Sequence, residues 1–360
     1  MIRKDPLIAW RPALAAAAFQ AAFPLLHRLR YASPELQFAS RRVARPATVR
    51  IPTRHGEIRA LVYAPPDPVD RPPAHLIAHG GAFIARVPEQ EDNVARFLAS
   101  EVGAYVVVPD YSTAPEVRFP VAEDQMFDVY RWMRLATYGW DGERISVGGA
   151  SSGGKLAVNV ALRAAEARLP VPVALTVESG VVDLCRPDSS RTSVLEKPVV
   201  RRPLMSLVRR TYFAGVDPEH PHASPIRHPR LADLPPTLVL TAQHDTLREE
   251  MNDFAKILES ETVPVTYREF EGVDHGFTHT RPIEVAREAI TLIADHLRTA
   301  YTPGGHTLGS YTPGGHAPGR HAPDAHTPSS LSPSSLSPSA HPPADPPTPS
   351  IRRNSLGVLE

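Results

Sequence analysis

Short apolar runs alternate with amphipathic stretches along the middle of the chain. The runs are apolar throughout, without regular polar positions, which is typical of strands buried on both faces. The stretches between them have helical periodicity. The predicted strands are residues 74–78, 104–109, 144–149, 171–177, 237–242 and 263–270. The predicted helices are residues 92–100, 123–135, 154–166, 247–258 and 283–297.

This alternation predicts an α/β domain with a mostly parallel sheet and helices on both faces. Two further β-rich runs, residues 48–52 and 57–63, flank a turn at residues 54–56 and predict a hairpin, which brings the sheet to eight strands. We assign residues 46–300 to this domain. Residues 185–222 break the rhythm because they are rich in Arg and Pro and lack an obvious strand, so we expect an insertion over the carboxyl edge of the sheet.

Residues 1–45 read as helical and partly apolar. A basic start followed by the apolar residues 12–26 resembles a signal peptide, but Asp5 and Arg11 interrupt its charge pattern. The apolar stretch is also too short to span a bilayer. We therefore favour an N-terminal helix packed on the domain, and a cytoplasmic protein with no stable membrane anchor. A targeting signal is the alternative.

The composition changes at Tyr301. Residues 301–306 recur as residues 311–316, and Pro, Ser, Gly and His dominate the remainder. Such a sequence cannot bury enough apolar surface to offset its chain entropy, so we predict that residues 301–360 are disordered. The histidines of this tail resemble a weak metal-binding tract. We favour the interpretation that this tail is an expanded repeat exposed to solvent.

The net charge and the cysteine content exclude some classes of protein function. The 360 residues contain 39 basic and 39 acidic side chains, and this balance gives no electrostatic case for a nucleic-acid partner. The single cysteine, Cys185, excludes an internal disulfide framework and a Cys-rich zinc site. The candidate function therefore depends on local motifs.

Residues 149–153 read Gly-Ala-Ser-Ser-Gly and lie between a predicted strand and a predicted helix. A Gly-x-Ser-x-Gly turn in this context is typical of a nucleophile elbow, where a strained turn exposes the serine oxygen. The glycines let the helix fold back close to the strand. Ser151 is therefore the candidate nucleophile. The alternative is an ordinary Gly/Ser-rich loop.

A serine hydroxyl needs backbone donors aimed at the developing oxyanion. Residues 79–83 read His-Gly-Gly-Ala-Phe and directly follow a predicted inner strand. We predict an oxyanion hole formed by the N–H groups of Gly81, Ala82 and Ser152, with Gly80 assisting. The alternative is a simple glycine turn.

The nucleophile also needs a general base that a carboxylate orients. Asp245 lies just past the predicted strand 237–242, and His275 lies in a glycine-flanked loop after the next strand. The order Ser, Asp, His is the one expected for this elbow. Glu249 and Glu250 are rival acids within a predicted helix, and Asp245 also suits a helix N-cap.

The other histidines receive structural assignments. His79 precedes the serine, and we expect it to shape the glycine loop. His220, His222 and His228 lie in a Pro-rich stretch and are predicted to be surface or cap residues. We predict no metal and no cofactor.

Taken in order, these motifs resemble the hormone-sensitive-lipase-like esterase family of the α/β-hydrolase fold. The resemblance covers roughly residues 48–298. Residues 79–83 resemble His-Gly-Gly-Gly-Phe/Trp, residues 110–116 resemble Asp-Tyr-Arg-Leu-Ala-Pro-Glu, residues 149–154 resemble Gly-Asp-Ser-Ala-Gly-Gly, residues 234–248 resemble the acid segment, and residues 275–277 match His-Gly-Phe. Asp110 and Tyr111 belong to the second motif and are expected to support the site.

The resemblance implies a serine carboxylesterase that acts on short- to medium-chain acyl esters through an acyl-enzyme. It also implies a cap over the site, a role that residues 1–45 and 185–222 fit. Three departures lie close to the site: Ala82 replaces a glycine, Ala150 replaces Asp or Thr, and Ser152 replaces alanine. An acyltransferase and a non-catalytic receptor are the alternatives, and a homodimer is left open.

Overall fold

The computed structural model describes residues 5–30, 33–136 and 138–302. Within these ranges eight strands and seven α-helices are present. The strands are β1 Ala47–Ile51, β2 Ile58–Tyr63, β3 Ala74–Ala78, β4 Tyr105–Pro109, β5 Ile145–Ala150, β6 Leu175–Glu178, β7 Thr237–Ala242 and β8 Val265–Phe270. The helices are α1 Trp10–Arg30, α2 Asp92–Glu101, α3 Val121–Arg134, α4 Ser152–Glu166, α5 Arg202–Arg210, α6 Arg248–Ser260 and α7 Ile283–Tyr301.

All eight strands form one sheet in the order β1-β2-β4-β3-β5-β6-β7-β8. β2 pairs antiparallel with β1 and β4, and the remaining pairs are parallel. The predicted hairpin and the mostly parallel eight-stranded sheet are therefore confirmed. Because Ala78 pairs with Gly149, and Ala242 with Phe270, the loops that follow these strands meet at the carboxyl edge of the sheet.

Helices cover both faces of the sheet because the inner strands are apolar on both sides. On one face, α3, α4 and α6 contribute buried residues such as Met126, Leu156 and Phe254. On the other face, α2 and α7 contribute Leu98 and Ile290. Two apolar cores therefore hold the sheet from either side.

The sixth strand is shorter than predicted. The sequence pattern places it over residues 171–177, whereas β6 begins only at Leu175. Pro170 and Pro172 lack the N–H group that a sheet ladder requires, so pairing cannot extend through them.

The predicted N-terminal helix is confirmed as α1. Ala13 and Ala16 of α1 are buried in the core. Gln20 Nε2 lies 3.2 Å from Ile84 O and 3.1 Å from Thr113 Oγ1, which fastens the helix to the domain. Among the helices in the described ranges, none combines the length and the apolar character that a membrane crossing demands.

The boundary of the predicted tail is wrong at its first residue. Tyr301 closes α7 and is buried, and its hydroxyl donates to Ala74 O at 2.9 Å and contacts Ser146 Oγ. The predicted boundary was wrong because Tyr301 is the first residue of the repeat found in the tail, yet its ring packs in the core. The rest of the predicted disordered tail, from residue 303, lies outside the described residues.

Candidate active site

Ser151 lies in a strained turn between β5 and α4. Its backbone has φ 56° and ψ −122°, a region that residues other than glycine rarely adopt. A Cβ atom on Gly153 would lie 1.9 Å from Ala78 O, and one on Gly149 would lie 2.5 Å from the same oxygen. The turn therefore requires both glycines, as a nucleophile elbow does.

The loop after β3 faces this elbow. Gly81, Ala82 and Phe83 follow one another with φ values of 130°, 56° and 56°. Within the described residues, the N–H groups of Gly81, Ala82 and Ser152 donate to no protein acceptor, whereas Gly80 N–H points at Glu91 Oε1 over 3.4 Å. Free backbone amides beside a nucleophile are what an oxyanion hole needs, and Gly80 is the partly engaged member of the predicted set.

His79 and Tyr111 hold that loop in place. The His79 side chain is fully buried, its Nδ1 donates to Gly80 O at 2.7 Å, and its ring stacks on Tyr111 with centroids 4.2 Å apart. Tyr111 OH donates to His79 O at 2.6 Å. Burial lowers the pKa of His79, which keeps the ring neutral. Asp110 lies at the end of β4 and pairs with Arg86 at 3.1 Å.

Asp245 and His275 meet at the same edge of the sheet. Asp245 Oδ2 lies 2.8 Å from His275 Nδ1, and Asp245 Oδ1 accepts the Leu247 N–H at 2.9 Å. Burial acts to lower the pKa of His275, but the Asp245 carboxylate outweighs it, so the pKa is raised above its usual 6.5. With the Nδ1 proton directed at Asp245, Nε2 is the ring atom available as a base.

One cavity of about 470 Å³ joins the elbow, the glycine loop and His275. Among the described residues, no hydrogen bond joins Ser151 to His275 in the free protein. Such contacts often tighten only when substrate binds. The lining comprises Phe19, Phe23, Leu26, His27, Gly80, Gly81, Ala82, Gln90, Glu91, Ala150, Ser151, Glu178, Ser179, Val199, Val200, Arg201, Leu204, His275, Gly276 and His279.

The rival acids lie elsewhere. Glu250 is buried in α6, where its carboxylate accepts from Arg191 Nη2 at 2.6 Å and from Val182 N–H at 3.0 Å. Glu249 is half exposed and pairs with Arg248. Among the described contacts, the carboxylate paired with His275 is therefore that of Asp245.

A second histidine group lies apart from the cavity. His222 Nε2 and His228 Nε2 each lie 3.0 Å from a carboxylate oxygen of Glu166. His228 is buried and caps the carboxyl end of the 3-10 helix Pro225–Arg227, so of the two predicted alternatives it is a cap residue and not a surface residue. These three side chains have the composition of a metal site. However, Arg230 N–H donates to His228 Nδ1 at 3.2 Å, which keeps the neutral ring's proton on Nε2, facing Glu166. Hydrogen bonding therefore accounts for the group.

Sequence reasoning missed three buried titratable residues of the cavity: Glu91, Glu178 and His279. Two signals pointed to them. Glu178 ends an inner strand at the edge where α/β sheets present working groups, and His279 follows His275 by four residues in the same loop. Glu91 carried no such signal, because it lies in a short 3-10 helix, Pro88–Glu91, that no strand end or motif marks in the sequence.

Comparisons with known proteins agree with this geometry. A family model described as the alpha/beta hydrolase fold matches residues 75–279, more than half of the chain. A carboxylesterase of Mycobacterium tuberculosis is 31% identical over 254 residues, which are 68% of this chain and 77% of that protein. An ethyl acetate hydrolase of Pseudomonas putida is 29% identical over 254 residues, covering 68% of this chain and 80% of that protein.

The solved structures give the same result. An esterase from Pyrobaculum calidifontis is 34% identical and superposes with a TM-score of 0.72, covering 81% of this chain and 94% of that one. The region matched by the family model runs from β3 to the turn after His275 and so includes the elbow and the glycine loop. The chain therefore belongs to the hormone-sensitive-lipase-like esterases of the α/β-hydrolase fold, and it is a carboxylesterase.

Proposed function

We propose that Ser151, His275 and Asp245 form a catalytic triad that hydrolyses short- to medium-chain carboxylic esters. The observation that carries the proposal is the 2.8 Å contact between Asp245 and His275 in the cavity that the Ser151 elbow enters. A carboxylate that fixes the histidine tautomer, together with a strained serine on the same cavity, is the arrangement that acyl transfer requires.

In the first half-reaction, Ser151 Oγ attacks the ester carbonyl carbon while His275 Nε2 takes the hydroxyl proton. The negative charge that develops on the carbonyl oxygen is stabilised by the N–H groups of Gly81, Ala82 and Ser152, with Gly80 assisting. The intermediate collapses to an acyl-enzyme, and the imidazolium of His275 returns its proton to the departing alcohol.

In the second half-reaction, His275 removes a proton from water as the water attacks the acyl carbonyl. The same backbone donors stabilise the second oxyanion, and Ser151 leaves with the proton that His275 holds. The acid is released and the free enzyme is restored. Asp245 stabilises the imidazolium in both halves without itself taking the proton.

The cavity size and its apolar wall support a preference for short to medium acyl chains. A volume of about 470 Å³ suits a ligand of small-molecule size. Phe19 and Phe23 of α1, with Val200 and Leu204 from the 185–222 segment, form the apolar wall. These two segments accordingly act as the cap that limits chain length.

The test is hydrolysis of p-nitrophenyl esters from acetate to palmitate by wild type, Ser151→Ala and the control Ser260→Ala. Ser260 is an exposed serine on α6 with its hydroxyl bonded to Ile257 O. We expect activity to peak at short chains and to fall by several orders of magnitude in Ser151→Ala alone. Near-wild-type activity in folded Ser151→Ala contradicts the triad, and a palmitate optimum contradicts the chain-length preference.

A further inference from the structure

The cavity has a second wall that ester hydrolysis by the triad leaves unexplained. Glu91, Glu178 and His279 line it together with Ser151, and all three side chains are buried. They come from three separate elements: the stretch before α2, the end of β6 and the turn before α7. Three buried titratable groups gathered on the wall of a substrate cavity point to a binding role.

Two hydrogen bonds and one ion pair connect these residues. His279 Nδ1 donates to Thr278 Oγ1 at 2.8 Å, and Thr278 Oγ1 donates to the Glu178 carboxylate at 2.9 Å. On its other side, His279 Nε2 lies 3.3 Å from Glu91 Oε2. Both ring nitrogens therefore face acceptors, which is the arrangement of a charged imidazolium.

The charges on the cavity wall do not balance. Asp245 is paired with His275, and Glu91 is paired with His279. In the part of the chain that the structure describes, Glu178 has no ion-pair partner and only the Thr278 hydroxyl as a side-chain donor. A buried carboxylate without a cation is energetically costly, and burial accordingly raises the pKa of Glu178.

The other titratable side chains of the cavity, His27 and Arg201, do not supply a cation to Glu178. Burial lowers the pKa of His27, so that ring adds no positive charge. Arg201 also lines the cavity, but it is exposed to solvent, whereas both acids are buried. The field inside the cavity therefore favours a positive group at the Glu91–Glu178 end.

Both acids lie next to the reacting groups. The backbone oxygen of Glu178 accepts the Ser151 N–H at 2.8 Å, and Glu91 Oε1 receives the Gly80 N–H at 3.4 Å. One acid therefore belongs to a residue that contacts the elbow directly, and the other contacts the oxyanion loop.

We propose that Glu91 and Glu178 form a subsite for a basic amino group carried by the ester substrate. The ammonium donates a hydrogen bond to the Glu178 carboxylate and supplies the ion-pair partner that this carboxylate lacks among the described residues. This inference rests on the proposed triad, because it places the subsite relative to Ser151. It names amine-bearing esters as the preferred substrate class.

The test compares pairs of esters with the same shape. In 2-(dimethylamino)ethyl acetate and 3-methylbutyl acetate, the alcohol side carries either a cationic amine or a hydrocarbon. In ethyl 4-(dimethylamino)butanoate and ethyl 5-methylhexanoate, the acyl side carries the same difference. We measure kcat/KM at pH 7 for wild type, Glu178→Gln, Glu91→Gln and the control Glu249→Gln, which replaces a half-exposed carboxylate outside the cavity.

We expect wild type and Glu249→Gln to prefer the amine in at least one pair by about tenfold, as a charge-assisted contact provides. Glu178→Gln is expected to remove that preference, which is read as the ratio of the two kcat/KM values within each pair. Equal rates within both pairs, or an undiminished preference in Glu178→Gln, overturn the proposal.

Two further measurements distinguish a failure of the subsite proposal from a folding defect of the variant and from a failure of the triad proposal. If Glu178→Gln does not fold, inhibition of wild type by 3-methylbutylamine and by 3-methylbutanol replaces it, and equal inhibition overturns the subsite. A failure of the triad proposal gives a different result. In that case, Ser151→Ala still hydrolyses 3-methylbutyl acetate.

Discussion

Lys155 donates a hydrogen bond to Glu123 Oε1 at 2.6 Å, and neither side chain is exposed to solvent. Lys155 lies on α4 one turn after the nucleophile, and Glu123 lies on α3. The ammonium also lies 5.4–5.6 Å from the ring centroids of Phe83, Phe119 and Phe213. This contact therefore joins the elbow helix, the oxyanion loop and the 185–222 segment.

Replacing Lys155 should destabilise the fold strongly. In Lys155→Met the Glu123 carboxylate loses its buried partner, and such losses cost about 3–5 kcal/mol. Urea denaturation measures the change. The matched control is Arg230→Met, which breaks an ion pair with Asp233 whose side chains are 44% and 43% exposed, and which should cost about 0–1 kcal/mol. Equal costs for the two variants contradict this account of the buried pair.

The pH dependence of catalysis should reflect the raised pKa of His275. The imidazole must be neutral to accept the serine proton, so kcat/KM rises with pH as His275 loses its proton. Because Asp245 holds the pKa above 6.5, the midpoint of this rise should lie above that value.

Asp245→Asn supplies the check on this assignment. The substitution removes the carboxylate charge and leaves the burial that lowers the pKa, so the midpoint should move to lower pH. The limiting rate should fall by about 10⁴-fold, because the histidine tautomer is no longer fixed. An unmoved midpoint shows that another group controls the profile.

Two adjacent glycines should respond differently to alanine. A Cβ on Gly153 collides with Ala78 O at 1.9 Å, whereas the nearest atoms to a Cβ on Gly154 lie 3.1 Å away. Gly153→Ala must therefore move the elbow against the oxyanion loop. Because misplacement by about 1 Å costs about 100-fold in rate, we expect at least this loss in kcat/KM for Gly153→Ala and a smaller one for Gly154→Ala. Indistinguishable variants contradict the steric argument.

The stability of a C-terminally truncated chain should depend on whether Tyr301 is retained. A chain ending at residue 302 keeps the buried Tyr301 ring and its bond to Ala74 O. A chain ending at residue 300 loses both, at a cost of about 3–5 kcal/mol, as for other buried aromatic side chains. Thermal unfolding of the two chains provides the comparison, and equal melting temperatures show that Tyr301 contributes nothing.

Local patterns predicted most of the elements because their physical causes are local. The strand over residues 74–78 and the strand over residues 237–242 match β3 and β7 at both ends. The Gly-x-Ser-x-Gly signal located the elbow because its steric requirement, absent side chains at two positions, is visible in the sequence. Asp245 and His275 followed from strand ends and chain order.

Contacts between distant residues were not predictable in this way. Glu91 and His279 are separated by 188 positions, and only the folded sheet brings them to one wall. Helix α1 has no distinct polar face. Hydrophobic periodicity could therefore not predict that Phe19 and Phe23 point into the cavity. Tyr301 was misassigned for a related reason, since its partners Ser146 and Ala74 lie far away in sequence.

The position of Tyr301 also defines an attachment point. Its hydroxyl contacts residues at the amino ends of β3 and β5, whereas Ser151 follows the carboxyl end of β5. At about 3.3 Å per residue, the length of β5 separates the two ends by roughly 20 Å. A solid support or reporter protein linked directly after Thr302 would therefore be joined on the side remote from the substrate entrance, which makes this enzyme suited to immobilisation through its last helix.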